Sequence, residues 1–151
     1  MPAPIKAVGM ISGGLDSTLA TALIKSQGIE ILGVNFSTGF CLDDHKRAQV
    51  RNRDREKPKR HEALRCGADL EVPVEIIDIS QEYQRVVTDP KYGYGSAMNP
   101  CIDCRIFMFR RAKEYMDEMG AQFLYTGEVL GQRPMSQHRR AMENIARDSG
   151  L

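Results

Sequence analysis

With 151 residues and a mass of 17.0 kDa, the chain is long enough for one domain with a buried core and too short for two. An apolar fraction of 42% beside 27% charged residues excludes wholesale disorder. The near balance of 21 basic and 20 acidic residues, a net charge of +1, gives no global sign of a nucleic-acid or membrane partner.

In chain order, Ile5 to Ile11 (IKAVGMI) is a short apolar run closed by Ser12-Gly13-Gly14, the pattern of a strand buried on both faces. Leu15, Leu19, Ala22 and Leu23 then recur at helical spacing, with Gly28 as the stop. Ile29 to Phe36 (IEILGVNF) reads as a second buried strand. A hydrophilic stretch, Asp43 to Glu62, follows and carries eight Lys or Arg between Lys46 and Arg60. With no aromatic residue, and with Asp54 and Glu56 interrupting it, this run reads as a solvated helix rather than an RNA-stacking surface. Val74 to Ile79 (VEIIDI) is a third strand, followed by a short helix through Tyr83 and Val86. A connection rich in Gly, Tyr, Pro and Asn leads to a helix over 101–119. Gln122 to Thr126 (QFLYT) is a fourth strand, and a last helix covers 136–146.

Strands alternating with helices predict an α/β fold: an open, mostly parallel sheet with helices on both faces. Gly150 reads as a helix stop with more chain expected after it. The expectation is therefore one domain over residues 1–151 that lacks its last strand and belongs to a longer protein. No run of about 18 apolar residues is present, and the start (MPAPIK) lacks a signal-peptide pattern, which predicts a cytoplasmic protein. Four cysteines are too sparse for a disulfide scaffold, leaving metal, redox or core roles.

Three motifs carry chemistry. Ser12-Gly13-Gly14-Leu15-Asp16-Ser17 joins the first strand to the first helix, where a helix start offers unpaired N–H groups to an anion. The glycines allow close backbone approach, Ser12, Ser17 and Thr18 add hydroxyls, and Asp16 is placed either to cap the helix or to hold Mg²⁺. The loop is not a Walker A sequence and lacks the third glycine of the dinucleotide fingerprint. Pro100-Cys101-Ile102-Asp103-Cys104-Arg105 puts two thiols at a helix start, suited to a soft metal, a cluster or a redox pair. An iron–sulfur cluster on Cys101, Cys104 and Cys41 is one outcome and two reduced thiols another, while Cys66 reads as a core residue. The third motif, Thr126-Gly127-Glu128-Val129-Leu130-Gly131-Gln132, follows the fourth strand with one carboxylate and one amide that suit Mg²⁺, ribose or the reacting group. The histidines do not cluster in sequence. His138, beside Arg139 and Arg140, is either phosphate-facing or solvated.

SGGLDST resembles the pyrophosphate-binding loop of the PP-loop ATP pyrophosphatases, which adenylate a substrate oxygen. Together with PCIDCR and GAQFLYTGEVLGQRPMSQ it is similar to the catalytic domain of the tRNA 4-thiouridine synthase family, over residues 5–145. The resemblance implies an adenine nucleotide alpha hydrolase-like, Rossmann-like fold, with ATP and Mg²⁺ as cofactors. It also implies tRNA as substrate, a sulfur donor such as a cysteine desulfurase, and a homodimer. Ser12, Gly13, Gly14, Asp16, Ser17 and Thr18 would serve the phosphates of ATP; Phe36, Thr126, Gly127 and Gln132 would shape the nucleotide site. Asp16, Cys101, Cys104 and Arg105 would take part in the reaction: adenylation of a uridine carbonyl oxygen, release of pyrophosphate, then sulfur transfer. Arg105 stands where many members carry Lys, which keeps the charge and changes its geometry. The family's RNA-binding domain has no room before Ser12. Two other readings stay open: a PP-loop enzyme acting on a small molecule, and a nucleotide-binding module without turnover.

Overall fold

The computed structural model describes residues 3–40, 61–95, 100–133 and 135–151. Cys41, His45 and the basic run of 46–60 lie outside the described residues. Four strands, β1 (Lys6–Met10), β2 (Glu30–Ser37), β3 (Val74–Asp78) and β4 (Phe123–Thr126), form one sheet. All its pairings are parallel, in the order β3-β2-β1-β4. Among the described residues the helices are α1 (Leu15–Ser26), α2 (Glu62–Asp69), α3 (Ser80–Thr88), α4 (Cys101–Glu118) and α5 (Arg139–Ser149).

The alternation of side chains along each strand divides the core in two. Val8, Met10, Leu32, Val34, Phe36, Ile77 and Leu124 point to one face, where Phe107, Met108, Ala112, Tyr115 and Met116 of α4 cover them. Ile11, Ile31, Val74, Ile76 and Tyr125 point to the other, under Ile24 of α1 and Ala63 and Cys66 of α2. The expected α/β architecture with both sheet faces covered is what the chain adopts. Cys66 is 5% exposed and lies in the core, as its position suggested.

The leucines of α1 do not form its buried stripe: Leu15, Leu19 and Leu23 are all more than half exposed. The helix instead buries Ser17 and Thr21. The reason is close approach. A Cβ on Gly127 would come within 2.4 Å of the Ser17 nitrogen, and a Cβ on Gly9 would meet the Tyr125 ring, whose hydroxyl donates to Thr21 Oγ1 at 2.9 Å. Only small side chains fit there, and their hydroxyls are satisfied; Thr21 donates in turn to the Ser17 carbonyl at 2.7 Å.

Two further elements depart from the sequence reading. The hydrophilic stretch gives way at His61, whose Nδ1 accepts from the Ala63 N–H at 3.2 Å and starts α2. Gly67 sits inside that helix, where a Cβ would lie 2.5 Å from Val74. The last helix begins at Arg139, since His138 Nδ1 caps it by accepting from the Ala141 N–H at 3.2 Å. His138 is thus exposed, as the solvated reading has it, and also caps the helix. Gly150 is the expected stop: at φ +79° it ends α5, with the Leu151 N–H donating to the Ala146 carbonyl.

The chain runs outward from β1 through β2 to β3 and then crosses back to place β4 on the other side of β1. The carboxyl ends of β1 and β4 thus frame the crevice where the connection reverses direction, the position open α/β sheets use for ligands.

Candidate functional site

Two adjoining cavities open at this crevice. The first, of about 270 Å³, is polar and lies against the start of α1. Ser12, Gly14, Asp16, Ser17, Thr126, Gly127, Glu128, Gln132 and Gln137 line it. Gly14 is the N-cap of α1 and offers no side-chain cap; the first helical bond is Thr18 N–H to the Gly14 carbonyl at 3.0 Å. Among the described residues nothing accepts the N–H groups of Leu15, Asp16 and Ser17, so the helix start keeps its donors for a ligand. Ser12 Oγ accepts from the Gly14 N–H at 3.2 Å and lies 3.1 Å from Ser17 Oγ, which draws the loop into a tight cup.

Of the two roles open to Asp16, the structure excludes the cap. It stands at the second helical position, it is not the cap, and no hydrogen bond or ion pair engages its carboxylate among the described residues. Glu128 is differently placed. Its side chain is 9% exposed, and its Oε1 lies 2.9 Å from Nε of Arg105. That approach is a charge contact rather than a hydrogen bond, because the N–H does not point along it.

The second cavity, of about 490 Å³, is mostly apolar, walled by Val34, Phe36 and Met108 with Met135 at its rim. Cys101 and Cys104 both line it. Met10, Ser12, Arg105 and Arg133 belong to both cavities and form the wall between them. Of the residues singled out in the sequence, Gly13 and Thr18 line neither. Thr18 donates to the Gly14 carbonyl at 2.8 Å and lies 3.3 Å from the Cys66 sulfur. Gly13, at φ +87°, packs against Glu62 at the start of α2.

Sequence reasoning missed Arg133, Gln137 and the three methionines, Met10, Met108 and Met135. Gln137 is 4% exposed, with its Oε1 buried and without a hydrogen bond. The signal for it was present in the run that follows Gly131, which the sequence placed in a helix.

The thiol-bearing helix start is tied down from the side. Asp103, between the two cysteines, accepts from the N–H groups of Lys91 and Tyr92, each at 2.9 Å. The Lys91 ammonium and the Tyr92 hydroxyl then bind one oxygen of Asp148 at 2.8 and 2.6 Å, and Arg147 binds the other at 3.0 Å. These donors, Lys91 first, hold the Asp148 carboxyl far below its ordinary value. A carboxyl lowered by folding stabilises the fold above its unfolded value, and that contribution is lost as pH falls. Asp148→Asn is therefore expected to be less stable than the unsubstituted protein at pH 7. The gap should narrow below about pH 4, as read from urea midpoints across pH.

Two thiols supply half of a cluster's usual ligand set, and among the described residues no group of three His, Cys, Asp or Glu could hold a metal. Cys101, Cys104 and Cys66 form no disulfide among the described residues. The third ligand expected from the sequence, Cys41, is outside the described residues.

The sequence profile of a family described as the tRNA methyl transferase HUP domain matches residues 5–148. The chain is 33% identical to the tRNA-specific 2-thiouridylase MnmA of Syntrophotalea carbinolica over 124 residues, which is 78% of this chain and 32% of that protein. It is 30% identical to the protein of the same name from Bradyrhizobium diazoefficiens over 146 residues, 93% of this chain and 36% of that protein. The chain thus spans about a third of the length of these relatives. Among solved structures, a 4-thiouridine synthetase–RNA complex with bound ATP superposes with a TM-score of 0.67. That match has 24% identity and covers 95% of this chain and 34% of the other. The NMN synthetase of Francisella tularensis superposes with a TM-score of 0.54 at 15% identity, over 81% of this chain and 44% of that one.

Proposed function

The chain belongs to the tRNA methyl transferase HUP domain family, within the PP-loop superfamily, and on that premise we propose that it is the ATP-binding catalytic domain of a tRNA sulfurtransferase. The observation that carries the reading is the shared wall. A polar cavity at a helix start and an apolar cavity lined by two thiols adjoin through Ser12 and Arg105.

In the polar cavity the unspent N–H groups of α1 and the Ser12 and Ser17 hydroxyls would hold the pyrophosphate end of ATP. Asp16, without a partner among the described residues, would hold the magnesium that accompanies the nucleotide, and that ion would supply charge neutralisation. Phe36 and the methionines offer an apolar bed for a base. A uridine carbonyl oxygen then attacks the α-phosphorus and pyrophosphate leaves. A persulfide handed by the sulfur donor to one of Cys101 and Cys104 attacks the activated carbonyl carbon through its outer sulfur, and AMP departs with the oxygen. The other thiol then attacks the resulting disulfide, which frees the thiolated uridine and leaves a Cys101–Cys104 disulfide for a thiol reductant to reopen; both cysteines face the cavity where that carbon must sit. No step is routed through an iron–sulfur cluster.

The relatives' names supply tRNA as the substrate. The near-neutral charge of the chain gives no independent support for RNA, so the grip on tRNA is assigned to further parts of a longer protein.

The test is anaerobic turnover with ATP, magnesium, a cysteine desulfurase with cysteine as persulfide donor, a thiol reductant and unmodified tRNA, followed by pyrophosphate assay and nucleoside analysis. Pyrophosphate release that depends on tRNA, with a thiolated uridine in the digest, is expected. Release that is indifferent to tRNA and responds to a small molecule would overturn the substrate class.

A further inference from the structure

We infer that Glu128 is a positioning residue: it fixes Arg105 at the junction of the two cavities, so that the guanidinium meets the phosphoryl group that lies between pyrophosphate and thiols. The inference rests on the proposed function for the identity of the anion. Its structural basis is separate.

Glu128 is anchored to the phosphate side. It follows Gly127, which is pressed against the Ser17 nitrogen, and its own N–H donates to Thr126 Oγ1 at 3.3 Å. Arg105 belongs to the other side, one residue beyond Cys104 on α4. Their 2.9 Å contact is thus the tie between the third motif and the thiol helix.

The contact engages the guanidinium only by charge, at its Nε end. Arg105 makes no other hydrogen bond or ion pair among the described residues, and it lines both cavities. A planar fork with Nη groups uncommitted, held at one end by a buried carboxylate, is suited to bind a phosphate oxygen with little further loss of side-chain freedom. The carboxylate itself carries a cost. With 9% exposure and an oxygen lacking a hydrogen bond, Glu128 is an expensive residue to bury. It also adds negative charge beside Asp16 in a cavity meant for an anion. A role in holding Arg105 accounts for that expense.

The test is a double-substitution cycle read by MgATP affinity and by unfolding midpoint. Arg105→Gln is expected to weaken MgATP binding about tenfold, and Glu128→Gln about fivefold, the scale of coupling between charged neighbours. In the Arg105→Gln background Glu128→Gln should cost nothing more, and Glu128→Asp should recover part of the affinity when Arg105 is present. Equal losses from Glu128→Gln in both backgrounds would overturn the inference, since the carboxylate would then act independently of Arg105. Tighter binding in Glu128→Gln would overturn it as well, showing that the carboxylate merely repels the nucleotide. The expected pattern in a protein that releases no pyrophosphate with tRNA would sink the proposed function and uphold this inference.

Discussion

Gly13→Ala is expected to cost about 2–5 kcal/mol of stability, the sum of a left-handed backbone on a residue with a Cβ and an overpacked contact. Gly14→Ala, one residue on, is expected to change stability by about 1 kcal/mol at most while weakening MgATP binding about tenfold. The two glycines look interchangeable in the sequence and are not. Gly13 has φ +87°, and a Cβ there would stand 2.5 Å from the carbonyl carbon of Glu62, so α2 would have to move. Gly14 has φ −74° and ψ 166°, which any residue adopts, and a Cβ there would meet only Ser12 Oγ at 3.4 Å. Among the described residues nothing demands glycine at position 14. It lines the polar cavity as the N-cap of α1, so the remaining reason for an absent side chain is the approach of a ligand. Urea unfolding and MgATP titration of both variants separate the effects. Gly14→Ala that binds MgATP as tightly as the unsubstituted protein would remove the phosphate assignment of this loop.

Much of this arrangement was legible in the sequence because it rests on local pattern. Short apolar runs closed by Ser-Gly-Gly, or leading into Thr-Gly-Glu, mark strands that end at one edge of a parallel sheet, and that edge is where ligands gather. The motif residues Ser12, Asp16, Thr126 and Gln132 could be assigned to one site on that ground, and the cavity does bring them together. What was not legible depends on distances between elements. The exposure of Leu15, Leu19 and Leu23 follows from how closely Gly127 and Tyr125 press on α1, which no periodicity in α1 encodes. His61 and His138 are helix caps because their Nδ1 atoms face the N–H of the second or third residue beyond them. The pairing of Arg105 with Glu128 joins positions 23 residues apart, and only the adjacency of β4 to the start of α4 makes it a contact. The role of Asp103 is another case. Between two cysteines it reads as filler, yet it holds the 91–92 backbone and through it the Asp148 hub.

Cys104→Ser and Cys101→Ser are each expected to lower formation of thiolated uridine by about 100-fold or more, as follows from losing a group that acts covalently. Both variants should keep pyrophosphate release within about threefold of the unsubstituted protein, because adenylation draws on the polar cavity. The separation of the two activities follows from the geometry. The thiols line the apolar cavity alone, whereas the α1 start, Asp16 and Gln132 line the polar one alone. Serine keeps the size of cysteine within the helix start, and the fastening of that helix through Asp103 does not involve either sulfur. Loss of thiolation with adenylation intact therefore isolates the sulfur step. Iron and absorbance measured on the same anaerobic preparations decide what the thiols carry. A colourless protein in which both variants lose transfer identifies a thiol pair, and a brown chromophore that disappears in Cys101→Ser identifies a cluster. If both substitutions leave thiolation unchanged, the cysteines are packing residues and sulfur reaches the adenylated uridine by another route. If both abolish pyrophosphate release as well, the two cavities do not divide the reaction as their linings indicate.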